Sequence, residues 1–178
     1  MRVIASCLVL TLVIGFAGCK LLDELRTFDL NYAVDFTIPS STIINLPIDI
    51  PTPSVTTNSE QRFDDEGIES EWIESVKLTG LTINITSPQG EDFGFLEDIA
   101  LYMNTNGQPE VLIAQLNPVP ESAGNNITLE VTGADLYPYI SQSSFSLRTQ
   151  VTTDEGMTQA VDCTANMVIE VKATIPGS

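Results

Sequence analysis

Cysteine, clustered carboxylates and a single tryptophan are the residues here that could do chemistry. The cysteines are Cys7, Cys19 and Cys163. A thiolate can act as a nucleophile, a metal ligand or half of a disulfide. No histidine occurs anywhere in the 178 residues. That removes Ser-His-Asp and Cys-His catalysis, imidazole metal ligation and the usual proton shuttle. Gly-x-Ser-x-Gly, a phosphate-binding loop and Asp-Thr-Gly are also missing. Two carboxylates flanking a bond can hydrolyse a glycoside, but nothing among the 24 acidic residues singles out a pair. The sequence therefore points away from an enzyme and asks for no cofactor.

The densest acidic stretch is Asp64-Asp65-Glu66-Gly67, with Glu69, Glu71 and Glu74 close behind. Clustered carboxylates suit a hard cation such as calcium. An EF-hand needs alternating ligands, a glycine at the sixth place and a late Glu, and this spacing does not supply them. The reading is a solvated acidic loop with no metal. Trp72 follows at once, and an indole can stack on a sugar. Beside a strand it is read instead as a half-buried packing residue. Tyr137 and Tyr139 flank Pro138, and closing the core is their expected task.

The N-terminus carries a different kind of signal. Arg2 gives a positive start, and Val3 to Phe16 is an apolar run broken only by Ser6, Cys7, Thr11 and Gly15. About 14 residues are too few to span a bilayer core of ~30 Å. A charged start, a short apolar stretch and a small-residue exit describe an export signal. The exit, Phe16-Ala17-Gly18-Cys19, resembles the cleavage and lipidation motif of bacterial lipoprotein signal peptides. Phe16 departs from the leucine usual in that family. The resemblance covers residues 1–19. It implies cleavage between Gly18 and Cys19 and acyl chains on Cys19. One chain binds a membrane reversibly, whereas two or more hold firmly, so a lipoprotein with two or three is anchored for good. In related lipoproteins an Asp after the cysteine often retains the protein at the inner membrane. Lys20 stands there instead, which implies the bacterial outer membrane.

Removing residues 1–18 leaves 160, enough for one domain with a real core. The formal charge of −17 becomes −18 once Arg2 is lost. Such a body is repelled by polyphosphate, so nucleic acid is not an expected partner. An anionic membrane surface repels it too, leaving the lipid as the means of attachment. Cys163 is the one cysteine left for the domain, which then has no internal disulfide.

The elements follow from periodicity. Residues 20–26 read as a loose tether. Phe28, Leu30, Tyr32, Val34, Phe36 and Ile38 alternate with polar residues, which is a half-buried strand. Ile44, Leu46, Ile48 and Ile50 form a second run. Pro47 and Pro51 in the opposite phase place it at a sheet edge. Within Ile73–Thr86 the apolar phase slips between Leu78 and Leu81, which predicts a β-bulge near Thr79-Gly80 with unusual angles at Gly80. Phe93, Phe95 and Leu96 are read as a core plug in a helical turn. Asn106-Gly107 signals a hairpin between residues 98–103 and 111–116. Ile127, Leu129 and Val131 alternate as another strand. Gly133–Ser141 reads as a helical turn with Asp135 as its cap. Phe145, Leu147 and Val151 mark a strand ended by Asp154-Glu155-Gly156. From Val161 to Ile175 every second residue is apolar, which also points Cys163 inward.

About eight strands joined by turns, without a long helical pattern, predict an all-β antiparallel sandwich with short helical turns. The expected organisation is a signal peptide at 1–18, a lipidated cysteine and tether at 19–27, and a sandwich domain at 28–178. The body is similar to envelope lipoproteins of Bacteroidetes-type bacteria, and no motif in it carries chemistry. The Asn84 and Asn126 sequons carry no meaning in a bacterial lipoprotein. The expected function is a non-enzymatic structural or protein-interaction module, anchored to the membrane through Cys19 and touching another envelope protein. The alternative is a glycan- or calcium-binding module using Asp64, Asp65, Glu66 or Trp72.

Overall fold

The computed structural model describes residues 24–176. Gly18, Cys19 and the first part of the tether lie outside that span. Two antiparallel sheets pack face to face, giving the expected all-β sandwich. Its strands in chain order are β1 (Glu24–Ile38), β2 (Ile48–Pro51), β3 (Val55–Thr56), β4 (Ile73–Ser87), β5 (Leu96–Asn104), β6 (Val111–Leu116), β7 (Asn126–Thr128), β8 (Glu130–Val131), β9 (Ser144–Thr153) and β10 (Val161–Ile175). Helices α1 (Ser59–Glu66) and α2 (Tyr137–Ile140) and two short 3-10 turns complete it. One sheet runs β1-β10-β4-β7; the other runs β2-β9-β5-β6-β8, with β3 also paired to β9.

β1 and β10 pair without a break from Glu24–Ile175 to Ile38–Val161. Their alternation places Leu30, Val34, Phe36, Ile38, Cys163, Met167, Ile169 and Val171 in the core and leaves Asp29, Asn31, Asp35 and Thr37 in water. The ladder also corrects the tether. Residues 24–27 were expected to be loose, yet they already pair with 172–175. Glu24, Leu25 and Thr27 are exposed and Arg26 is half-buried, so backbone bonds more than side-chain burial hold this start.

The bulge on β4 is present. Gly80 pairs with Val168 and Leu78 with Ile169, which leaves Thr79 as the extra residue. Val76, Leu78, Leu81 and Ile83 are buried on either side of the slip, while Ile85 is half-buried. Gly80 itself does not have the positive φ of a left-handed backbone. The ladder is absorbed at Thr79, whose hydroxyl donates to the Val168 carbonyl at 3.2 Å.

Three further segments differ from the pattern reading. The second apolar run forms a strand only over 48–51. It is an edge strand as its prolines require, but Ile44 and Leu46 are exposed. The chain turns before it at Asn45, which has φ 57. The run 127–131 is divided between sheets: β7 pairs with β4, and β8 pairs with β6. Leu129 bridges the two layers, buried with its N–H on the Leu81 carbonyl at 3.0 Å, and Val131 ends up exposed. The third is the acidic segment, which is helical rather than a loop.

The core plug behaves as read. Phe93 and Phe95 are buried in a 3-10 turn, and the Asp92 carboxylate accepts from the Gly94 N–H at 3.0 Å. Asp135 accepts from the Tyr137 N–H at 3.1 Å at the start of α2. Tyr139 is buried and donates its hydroxyl proton to the Pro109 carbonyl at 2.7 Å. All four crossings between the sheets at the 38/48 end (39–47, 88–95, 117–125 and 154–160) lie together. The opposite end holds the 105–110 hairpin loop and both helices.

Candidate functional site

The acidic segment is the first place to look for a ligand. Ser59 starts α1, is fully buried, and its hydroxyl donates to the Ile140 carbonyl at the end of α2. Phe63, one turn on, is buried with its ring 6.1 Å from Phe28 in an edge-on contact. Asn58, just before the helix, accepts from the Tyr32 hydroxyl at 3.1 Å. Burial raises the pKa of that phenol, so it remains a neutral donor. Gly67 ends the helix at φ 65, and its N–H donates to the Asp64 carbonyl at 3.0 Å. The tertiary anchors Ser59 and Phe63, not helical propensity, make this loop helical.

A helix turns neighbouring side chains about 100° apart, so Asp64, Asp65 and Glu66 diverge. Asp65 accepts from Gln61 at 2.9 Å, and Glu66 pairs with Arg62 at 3.4 Å. Asp64 alone faces a shallow depression with Thr57, Asn58, Glu60 and Ser143. Among the described residues no three His, Cys, Asp or Glu side chains are placed to share a metal ion. Trp72 lies apart, half-buried in the 3-10 turn Ser70–Trp72 that leads into β4. The structure does not bring these four residues into one site.

Pattern reading did not mark three other features. A groove of about 710 Å³ lies against the β1–β10 ladder, lined by Asp35, Thr37, Ile50, Thr86, Asp162 and Thr164 among others. Its carboxylates are engaged: Thr37 donates to Asp162 at 2.7 Å and Thr164 to Asp35 at 2.6 Å. Its one aromatic, Phe36, is buried, so the groove offers a sugar no stacking face. Cys163 touches the same region from the core side. Burial, aided by Asp162, pushes its thiol up to about 12, far from reactivity at neutral pH.

The second feature is an ion cluster on the outer face of the six-stranded sheet. Arg148 on β9 binds Glu110 through both Nε and an Nη, bonds Asp49 on β2, and covers the Tyr102 ring on β5. These bonds raise the guanidinium pKa, Glu110 contributing most. Gln150 and Arg148 together lower that of Asp49. One guanidinium is shared by two carboxylates, and all three groups are hydrogen-bonded, so the cluster fastens an edge strand.

The third is the end of the sandwich where the sheets cross over. Ile43, Ile44 and Leu46 project there with 56%, 42% and 59% of their surface exposed. The loop carrying them is nonetheless fixed. Ser41 and Met157 exchange two backbone hydrogen bonds, at 3.1 and 2.7 Å, and the Asn45 N–H donates to the Thr153 carbonyl at 2.7 Å. A sequence clue existed: Asn between two prolines (39 and 47) tolerates the left-handed backbone that turns the run away from the sheet. Beside it, Glu91, Asp92, Glu121, Asp154 and Glu155 line one depression of about 350 Å³.

No protein-family model matches the chain, and no curated protein does. One solved structure, titled Desmodium yellow mottle tymovirus, aligns over 86% of this chain and 91% of its own. The identity is 13% and the TM-score 0.27, too loose a superposition to inform fold or function.

Proposed function

We propose that the chain is a membrane-anchored envelope lipoprotein whose β-sandwich is a non-enzymatic structural or protein-interaction module. The observation that carries this is the apolar run ending in Gly18-Cys19, five residues before a folded strand begins at Glu24. On this reading Cys19 bears the lipid five residues before Glu24, a separation of at most about 18 Å at ~3.5 Å per residue. The sandwich is then held close to the bilayer, at the outer membrane if Lys20 directs sorting. The histidine-free sequence and the hydrogen-bonded carboxylates of the groove, Asp35 and Asp162, favour a binding or scaffolding body over a catalytic one. Glycan or calcium binding has less support, since Trp72 is half-buried and Asp64, Asp65 and Glu66 diverge.

Replacing Cys19 with Ser tests the anchor. The expected outcome is loss of acylation and release of the protein from the membrane fraction. A Cys19→Ser chain that stays wholly with membranes through a high-salt wash would sink the lipid-anchor reading.

A further inference from the structure

The crossover end of the sandwich holds two surfaces that a protein normally hides or neutralises, set side by side. The first is the apolar loop. Three aliphatic side chains, Ile43, Ile44 and Leu46, stand in water on backbone held by the Ser41–Met157 and Asn45–Thr153 bonds. A loop free to collapse would fold them over the nearby core; this one is pinned with them outward. Presenting apolar groups in a fixed geometry lowers the ordering cost of binding.

The second is charge. The four crossover segments carry Glu91, Asp92, Glu121, Asp154 and Glu155 and not one Lys or Arg. The cations of the described sequence, Arg26, Arg62, Lys77, Arg148 and Lys172, all lie elsewhere. Asp154 directly follows Thr153, the residue that pins Asn45, so the carboxylates and the apolar loop are contiguous. The Asp154 and Glu155 side chains are exposed.

We propose that this end docks a protein presenting an apolar cleft rimmed by Lys or Arg. Charge selects that occupant over the others. A second copy would set five carboxylates against five more, and like charges brought together at an interface repel each other. An anionic bilayer would be repelled for the same reason. A cation alone would leave the aliphatic loop unexplained. Position agrees with the choice: β1 is fifteen residues long and runs from the anchor side to this end, about 50 Å at ~3.3 Å per residue. The inference rests on the interaction-module reading but not on the lipid.

The test is site-specific photocrosslinking of the full chain in intact cells of its native host. A benzophenone side chain replaces Ile44, or Asn31 on the outer sheet face as control, and adducts are mapped by peptide sequencing. The expected result is a heterologous adduct at position 44 and none at 31. Its mapped peptide should carry apolar residues beside Lys or Arg. The adduct should fall about tenfold when Asp154→Lys and Glu155→Lys are added, because rim charges govern encounter, and likewise with Ile43→Ser and Leu46→Ser. Circular dichroism of each variant checks that the sandwich persists. No adduct at 44, a self-adduct, a lipid adduct, a mapped site without cations, or an adduct indifferent to both variant pairs would overturn the proposal. If Cys19→Ser stays with membranes while the position-44 adduct forms, the anchor fails and the docking surface stands. If Cys19→Ser releases the protein and the parent chain gives no adduct, the docking surface alone fails.

Discussion

The Arg148 guanidinium carbon lies 4.0 Å from the centroid of the Tyr102 ring, and the same side chain grips Glu110 in a two-pronged bond. One residue thereby ties β9, β5, the hairpin and, through Asp49, edge strand β2. Exposed ion pairs contribute little each, but a bidentate pair stacked on an aromatic face contributes more. Arg148→Met is expected to cost about 1–2 kcal/mol in denaturant unfolding on those grounds. Arg148→Lys should rescue less than half, since an ammonium cannot make the fork. Amide exchange should speed first in Ile48–Pro51, the strand the cluster holds at the edge.

The buried thiol gives a pH dependence. Cys163 has its pKa raised from 9.0 to about 12, burial being the main cause. Between those values the unfolded chain loses a proton that the folded chain keeps. Unfolding is then favoured as pH rises, while below about pH 9 both states hold the proton and the full contribution is present. Stability should decline from pH 9 to 11 more steeply in the wild type than in Cys163→Ala. At neutral pH the Ala variant should cost roughly 1 kcal/mol, as for a small core truncation. A thiol reagent should label Cys163 in denaturant and barely in the folded protein. Equal rates in both would mean that β10 does not hold its register.

Strand patterns were legible where one face is buried and the other wet. β1 and β10 alternate over fifteen residues each, so period two carries most of the signal. The phase slip at Thr79-Gly80 was visible for the same reason. What failed were segments whose conformation is imposed from outside. Helix α1 has only Phe63 and Ser59 buried, too few for a helical period, and its acidic end opposes the helix dipole. Ile44 and Leu46 continue the alternation of Ile48 and Ile50, but the chain turns at Asn45, with φ 57, and its backbone bonds go to Thr153 and, through Ser41, to Met157 rather than into the sheet ladder. The crossover end was illegible because its carboxylates come from three separate loops. No short window of sequence contains them together.

Thr149 supplies a third test. It is fully buried on β9, and its hydroxyl has no hydrogen-bond partner. A buried hydroxyl without a partner loses its hydration for nothing, at a cost of about 1–3 kcal/mol. Thr149→Val keeps the branched shape that a strand favours and removes the orphan atom. The expected outcome is a gain of about 1 kcal/mol and a higher melting temperature. A loss of stability would mean that the hydroxyl is satisfied in solution, by water reaching it through the edge beside Ile50.

Two glycines make the last prediction, and they run opposite to the intuition that the bulge glycine is indispensable. At Gly80 an added Cβ would meet only Val168, at 3.9 Å, which is ordinary contact, and the backbone is not left-handed. Alanine there should be neutral or stabilising by up to about 1 kcal/mol, because it restricts the unfolded chain more than it strains the folded one. At Gly94, in the turn between Phe93 and Phe95, a Cβ would come within 2.9 Å of the Glu121 carbonyl oxygen and 3.1 Å of the Asp92 carboxylate. The first of these is backbone and cannot swing aside. Gly94→Ala should therefore cost about 1–3 kcal/mol, the range for overpacking. It should also loosen the 117–125 crossover, read as faster exchange of the Val119 and Ala123 amides, which now donate to Glu97 and Pro120. The two variants measured side by side decide the matter. If Gly80→Ala is the damaging one, the bulge depends on glycine flexibility after all, and Thr79 is not the residue that absorbs the slip.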